Sequence, residues 1–155
     1  MPKSVVLVIV VILSALLEIS ILPILGIAGA SASLVAIGVA SLFLLGTLES
    51  AAVVAILGGT LLDLLFPSPF GRQTITLLLI WVVFFFVSRY RLVAPQAVVV
   101  SVTMALTGLL VGLPNFIASR DLLFLISSIF LHALLGTIVF PLFVLLFPRR
   151  EAIRL

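Results

Sequence analysis

Few residues in this chain could carry chemistry, and those few sit where a charge is costly. The 155 residues include five Asp and Glu, eight Lys and Arg, one His and no Cys. Four ionisable side chains fall inside or at the edge of long apolar runs: Glu18, Asp63, Arg72 and His132. In such surroundings each calls for a partner or a role. One reading brings Glu18 and Asp63 towards Arg72, where paired charges satisfy one another and hold three helices in register. A sharper reading makes Glu18 or Asp63 a ligand-binding or proton-relaying group facing a cavity. His132 could carry a proton or hold a ligand. With Ser127, Ser128 and Thr137 near it, a hydrogen-bonded contact between helices is the simpler expectation. No Ser with His or Lys, no Asp pair and no metal-ligand spacing falls on adjacent segments, so a non-enzymatic protein without cofactor or metal is expected. The lack of Cys removes disulfides, thiolate catalysis and cysteine metal sites.

The elements that position these residues follow from composition. The chain is 65% hydrophobic and only 8% charged, against about a quarter charged in an ordinary soluble domain. Too little polar surface is available to cover a water-soluble globule, and lipid is the expected solvent. The basic residues form no stripe suited to nucleic acid. A helix rises about 1.5 Å per residue, and a bilayer core of about 30 Å needs about 20 apolar residues, or as few as 17. By that ruler the expectation is all-α: a single compact bundle of six short transmembrane helices, spanning about 4–25, 34–48, 51–66, 73–88, 95–113 and 121–147. Leu34 to Phe66 is too long for one crossing and is broken at Gly46 to Ser50. Pro67, Pro69 and Gly71 force a connection. Pro114 ends span five, and Ser119 caps span six with Asp121 in its first turn.

Orientation follows from the Lys and Arg bias. With six spans and both termini inside, Lys3, Arg89, Arg91, Arg149, Arg150 and Arg154 are cytoplasmic, and Arg72 and Arg120 lie outside. Glu49, in the cytoplasmic turn, is expected to be neutralised by Arg89 or Arg91. Lys3, the first apolar run and Ala28, Gly29 and Ala30 imitate a cleavable signal peptide. Glu18 within that run and the length of the run favour a retained span. Small residues at helical spacing, Ala36 with Ala40, Ala51 with Ala55, Gly58 and Gly59, and Gly108 with Gly112, suit close helix packing in lipid.

Asp63 ends a helix where unpaired carbonyls repel a carboxylate. It is expected either to accept hydrogen bonds from the backbone donors near Gly71 to Thr74 or to pair with Arg72. The segment around it, Gly59, Thr60, Leu61, Leu62, Asp63, Leu64, Leu65, Phe66, Pro67, Ser68, Pro69, Phe70, Gly71, resembles the signature of the bacterial rod shape-determining protein MreD family. That signature has a Gly four residues before an Asp, two apolar residues, a Ser and Pro turn, and a Gly opening the next helix. Size, six apolar runs, the basic residues after span four and Gln96 are also similar to MreD. Thr60 stands where the family has an apolar residue, and Arg72 follows the Gly directly. The resemblance implies a non-enzymatic subunit of the cell-elongation complex in the inner (cytoplasmic) membrane. Its implied partners are the bitopic protein MreC, the actin-like MreB, and the polymerase and transpeptidase of wall synthesis. The family is similar in architecture to the substrate-binding subunits of energy-coupling-factor vitamin transporters. That likeness makes a small-solute transporter subunit the alternative expectation, with a pocket near Glu18, Asp63 and the first loop.

Overall fold

Between Leu34 and Leu65 the chain is apolar almost throughout, and it folds back where glycine permits. Gly46 takes φ +75°, a left-handed conformation that costs glycine little. Its N–H donates to the Phe43 carbonyl, while the Thr47 N–H and hydroxyl both return to the Leu42 carbonyl. This is a Schellman-type helix end. The break is tighter than the expected Gly46 to Ser50, because Glu49 and Ser50 already belong to the following helix, where a negative charge favours the first turn.

The computed structural model describes residues 3–21, 23–24, 26–27, 29–30, 32–66, 69–87 and 96–147. Among them are six helices and no strand: α1 (Lys3–Ser20), α2 (Leu34–Leu44), α3 (Leu48–Leu65), α4 (Arg72–Val87), α5 (Gln96–Ser119) and α6 (Leu122–Leu146). An isolated bridge between Ile27 and Ala30 closes the α1–α2 connection. Pro67, Ser68, Tyr90, Pro95 and the basic residues Arg89, Arg91, Arg149, Arg150 and Arg154 lie outside the described residues, as does the side chain of Lys3.

Two expected boundaries are corrected. Pro114 does not end the fifth helix, which runs on to Ser119. A proline removes one backbone donor and bends a helix, but in apolar surroundings resuming the helix satisfies every later donor and acceptor. Ser119 does not cap the sixth helix either, since its hydroxyl donates back to Asn115 O at 2.8 Å. The cap is Asp121, whose Oδ1 accepts from Leu123 N at 3.0 Å and Phe124 N at 3.2 Å.

α2 lies at the centre and touches each of the other five helices. It is 11 residues long, or about 16 Å, and Val35 to Leu42 are all buried. α1 packs on α2 and α3, α3 on α4, and α5 on α6. Gly108 allows the closest approach of the last pair: a Cβ there would lie 2.6 Å from the Ser128 carbonyl oxygen. α3, α5 from Val98, and α6 are each long and apolar enough to cross a membrane, while the apolar stretches of α1 (Ser4–Ser20), α2 (Leu34–Leu44) and α4 (Arg72–Phe86) are shorter. Their outward faces carry large exposed apolar side chains, among them Val8, Ile12, Leu57, Leu64, Phe130 and Leu145.

Candidate functional site: two buried carboxylates that cap neighbouring helices

α3 presents a buried stripe of Ala51, Ala55, Gly58, Gly59, Leu62 and Asp63, one face at helical spacing. Asp63 stands third from the last residue of the helix and reaches across the turn to the start of α4. Its Oδ1 accepts from Gln73 N at 2.7 Å, and its Oδ2 from Thr74 N at 3.1 Å and Thr74 Oγ1 at 2.6 Å. A carboxylate is poorly placed against the carbonyls that end α3. Here its charge falls instead among the unpaired N–H groups that open α4, where the helix dipole favours it. Gly59, one turn earlier, makes this possible: a Cβ there would lie 2.5 Å from Thr74 Cα and 3.0 Å from Thr74 N. Gly71, at φ +91°, turns the chain into α4, and the Pro69 carbonyl accepts from Arg72 N at 3.2 Å. Gly59, Asp63, Pro69 and Gly71 are thus parts of one turn, beside Pro67 outside the described residues.

Glu18 does the same for α2. It too stands third from the end of its helix, and it continues the buried stripe Leu7, Val11, Ala15. Its Oε2 accepts from Ser33 Oγ at 3.0 Å and from Val35 N at 3.2 Å. The Ser33 hydroxyl in turn accepts from Ala36 N at 3.2 Å, a side-chain N-cap. The backbone N–H of Ser33 donates to His132 Nε2 at 2.9 Å, and His132 Nδ1 lies 2.8 Å from Ser128 O. Because Ser33 N–H can only donate, Nε2 is the bare nitrogen and Nδ1 carries the hydrogen, which makes the imidazole neutral. Ser128 Oγ completes the set by donating to Gly108 O at 2.9 Å.

The two caps extend into two chains of polar contacts. One joins α1, α2 and α6 through Glu18, Ser33 and His132; the other joins α3, α4 and α5 through Asp63, the first turn of α4, and a hydrogen bond from Arg72 Nη2 to Asn115 Oδ1. This corrects the expected ion-paired cluster. Among the described residues neither carboxylate pairs with Arg72, because backbone and hydroxyl donors satisfy both carboxylates at less desolvation cost than a second buried charge. Thr137, offered as a neighbour of His132, keeps its hydroxyl on Ala133 O of its own helix.

Thr74 N lies within the Gly71 to Thr74 stretch expected to donate to Asp63; the Thr74 hydroxyl, Ser33 and Asn115 complete the arrangement and are not singled out by sequence, although a signal exists. Glu18 and Asp63 are 63 − 18 = 45 residues apart. Each is followed by a Pro, then a Gly, then a Ser or Thr at the start of the next helix, Ser33 as the N-cap of α2 and Thr74 as the third residue of α4. The repetition was obscured because the two loops differ in length.

A Ser, a His and a carboxylate in mutual contact are the residue types of acyl-transfer catalysis, but the geometry is not that of a relay. The imidazole meets the backbone nitrogen of Ser33 rather than its hydroxyl, and the hydroxyl is spent on Glu18 and Ala36. All three are buried: Glu18 is 6% exposed, Ser33 8% and His132 not at all. Among the described residues no three His, Cys, Asp or Glu side chains gather as metal ligands. A groove of about 230 Å³ runs between α1 and α3, lined by Val8, Val11, Ile12, Leu57, Thr60, Leu61 and Leu64. It is apolar, reaches neither carboxylate, and is smaller than the roughly 300–1,000 Å³ of a usual small-molecule site. Comparison with protein-family models, with curated proteins and with solved structures finds no match for this chain.

Proposed function

We propose that the chain is a multi-pass, non-enzymatic scaffold of the bacterial cytoplasmic membrane, an MreD-like subunit of the cell-elongation complex. It helps to position wall synthesis and maintain cell shape through helix–helix contacts with an MreC-like bitopic protein. Through that partner it meets the wall-synthesis polymerase and transpeptidase and the actin-like MreB. One observation carries the reading: among the described residues both buried carboxylates, Glu18 and Asp63, are consumed inside the fold as helix caps. The described outer surface is rich in exposed apolar side chains, which suit helix partners. The residues on which the resemblance rests, Gly59, Asp63, Pro69 and Gly71, act together in one turn rather than being scattered.

In this reading all six helices cross the bilayer, α1, α2 and α4 having apolar stretches of 17, 11 and 15 residues (Ser4–Ser20, Leu34–Leu44 and Arg72–Phe86), which local thinning or tilt of their neighbours accommodates. The loops bearing Arg72 and Arg120 face outward, and both termini face the cytoplasm. The test is affinity purification of a tagged chain from native bacterial membranes, with wild type and Leu57→Arg compared on the outward α3 face. Recovery of an MreC-like protein with wall-synthesis enzymes, reduced by the substitution, is expected. Recovery of a transporter ATPase, or of none of these proteins, would overturn the reading.

A further inference from the structure

At one end of the bundle the chain turns from α3 into α4 and from α5 into α6, and each turn carries an arginine. The hydrogen bond from Arg72 Nη2 to Asn115 Oδ1 joins the two turns. Arg120 lies just over one turn beyond Asn115, about 7.5 Å along the helix axis, a separation that a long arginine side chain spans. Its N–H closes the last turn of α5 on Phe116 O at 2.7 Å.

The carboxylates at this end are engaged as caps, Asp63 on the first turn of α4 and Asp121 on that of α6. Among the described residues neither guanidinium is in an ion pair, Arg72 makes its one hydrogen bond to Asn115, and the Arg120 side chain makes none. Arg120 also holds φ +56°, a left-handed conformation for which a helix end favours glycine, so a charge stands at this turn against backbone preference. Around both cations the surface is apolar: Phe70 near Arg72, and Ile117, Leu122 and Leu123 near Arg120, are all exposed. Cations flanked by exposed apolar side chains match a molecule with an anionic head and apolar tails. A small inorganic anion would leave those side chains uncovered.

We propose that Arg72 and Arg120 together hold the phosphate of an anionic membrane lipid, whose acyl chains cover Phe70, Ile117, Leu122 and Leu123. This rests on the reading that the helices lie in a bilayer, and not on which side this end faces. The planar donors of arginine match phosphate oxygens in pairs, and Asn115 already orients Arg72. A zwitterionic lipid carries the same phosphate beside a cation of its own, which two arginines repel.

The test places the chain in phosphatidylcholine nanodiscs with a small fraction of a photoreactive lipid, its diazirine at the top of one acyl chain. That probe bears either a phosphatidylglycerol or a phosphatidylcholine headgroup. Stable incorporation tests the membrane reading by itself, before any light is given. Cross-linked peptides are then mapped by mass spectrometry. Labelling of the segments bearing Phe70, Ile117 and Leu122 should be about tenfold higher with the glycerol headgroup. In the double variant Arg72→Gln, Arg120→Gln it should fall to the choline level, while labelling around Leu134 in the middle of α6 stays the same. Arg120→Gly is a second variant. Glycine accepts the left-handed turn at little cost, so the fold, followed by far-UV circular dichroism, should hold while the headgroup preference falls. Equal labelling by the two headgroups, or a preference that survives both variants, overturns the proposal. So does loss of the preference on adding excess inorganic phosphate but not matched sodium chloride, which would make the site one for free phosphate.

Discussion

Replacing Asp63 with Asn keeps the size of the side chain and changes what it can accept. Three donors converge on its two oxygens, Gln73 N on one, Thr74 N and Thr74 Oγ1 on the other. An amide keeps a single oxygen. If that oxygen stays with Gln73, the new NH2 faces the Thr74 N–H, donor against donor, and the Thr74 hydroxyl must turn to accept. One buried N–H left unpaired costs about 1–3 kcal/mol. Loss of the charge at the first turn of α4 removes about 0.3–1 kcal/mol more. Asp63→Asn should therefore destabilise the fold by roughly 1–4 kcal/mol. Glu18 is an internal contrast, since both of its hydrogen bonds with distances above fall on Oε2. Glu18→Gln keeps that oxygen and should cost about 1 kcal/mol or less, chiefly the lost charge. The assay is reversible unfolding of the purified chain in mixed micelles, followed by far-UV circular dichroism. Equal losses for the two amides, or a loss below about 0.5 kcal/mol for Asp63→Asn, would refute the capping argument.

Further outcomes follow from the same contacts. Gly59→Ala places a Cβ 2.5 Å from Thr74 Cα and should cost about 1–3 kcal/mol by overpacking, read in the same unfolding assay. Combined with Asp63→Asn it should lose less than the sum of the two single losses, because each already loosens the same turn. His132→Phe fills the space but leaves Ser33 N–H without its acceptor, so a loss of about 1–3 kcal/mol is expected. Asp121→Ala removes the cap of α6 at an exposed turn and should cost about 0.5–2 kcal/mol, without changing partner recovery from membranes.

The helices were legible because apolar runs and their breakers are local signals. Gly46 and the stretch from Pro67 to Gly71 separate α2, α3 and α4 whatever the rest of the chain does. The short first helix was less so: it ends at Ser20, three residues before Pro23, where a span to Leu25 was expected. Pro114 misled because a proline ends a helix only where water or another group can take over its hydrogen bonds. The site was legible at Asp63 and illegible at Glu18, for a physical reason. Asp63 finds its donors 10 and 11 residues away across a short turn, whereas Glu18 caps α2 across a loop, and Ser33 meets His132 at a separation of 99 residues. Contacts of that range depend on how helices cross, and pairing rules for charges favoured Arg72 over backbone donors that no side-chain inventory displays.

The claim on which the account depends most is that α2 and α3 form a hairpin across the bilayer, so that the α1–α2, α3–α4 and α5–α6 connections share the outer side. Single substitutions Ile24→Cys, Glu49→Cys, Phe70→Cys and Arg120→Cys, all at exposed positions, can be labelled in intact cells with a membrane-impermeant maleimide. Positions 24, 70 and 120 should react, and position 49 should react only after the membrane is opened. Labelling at position 49 on the same side as position 70 would contradict the hairpin, and with it the outward placement of both capped turns.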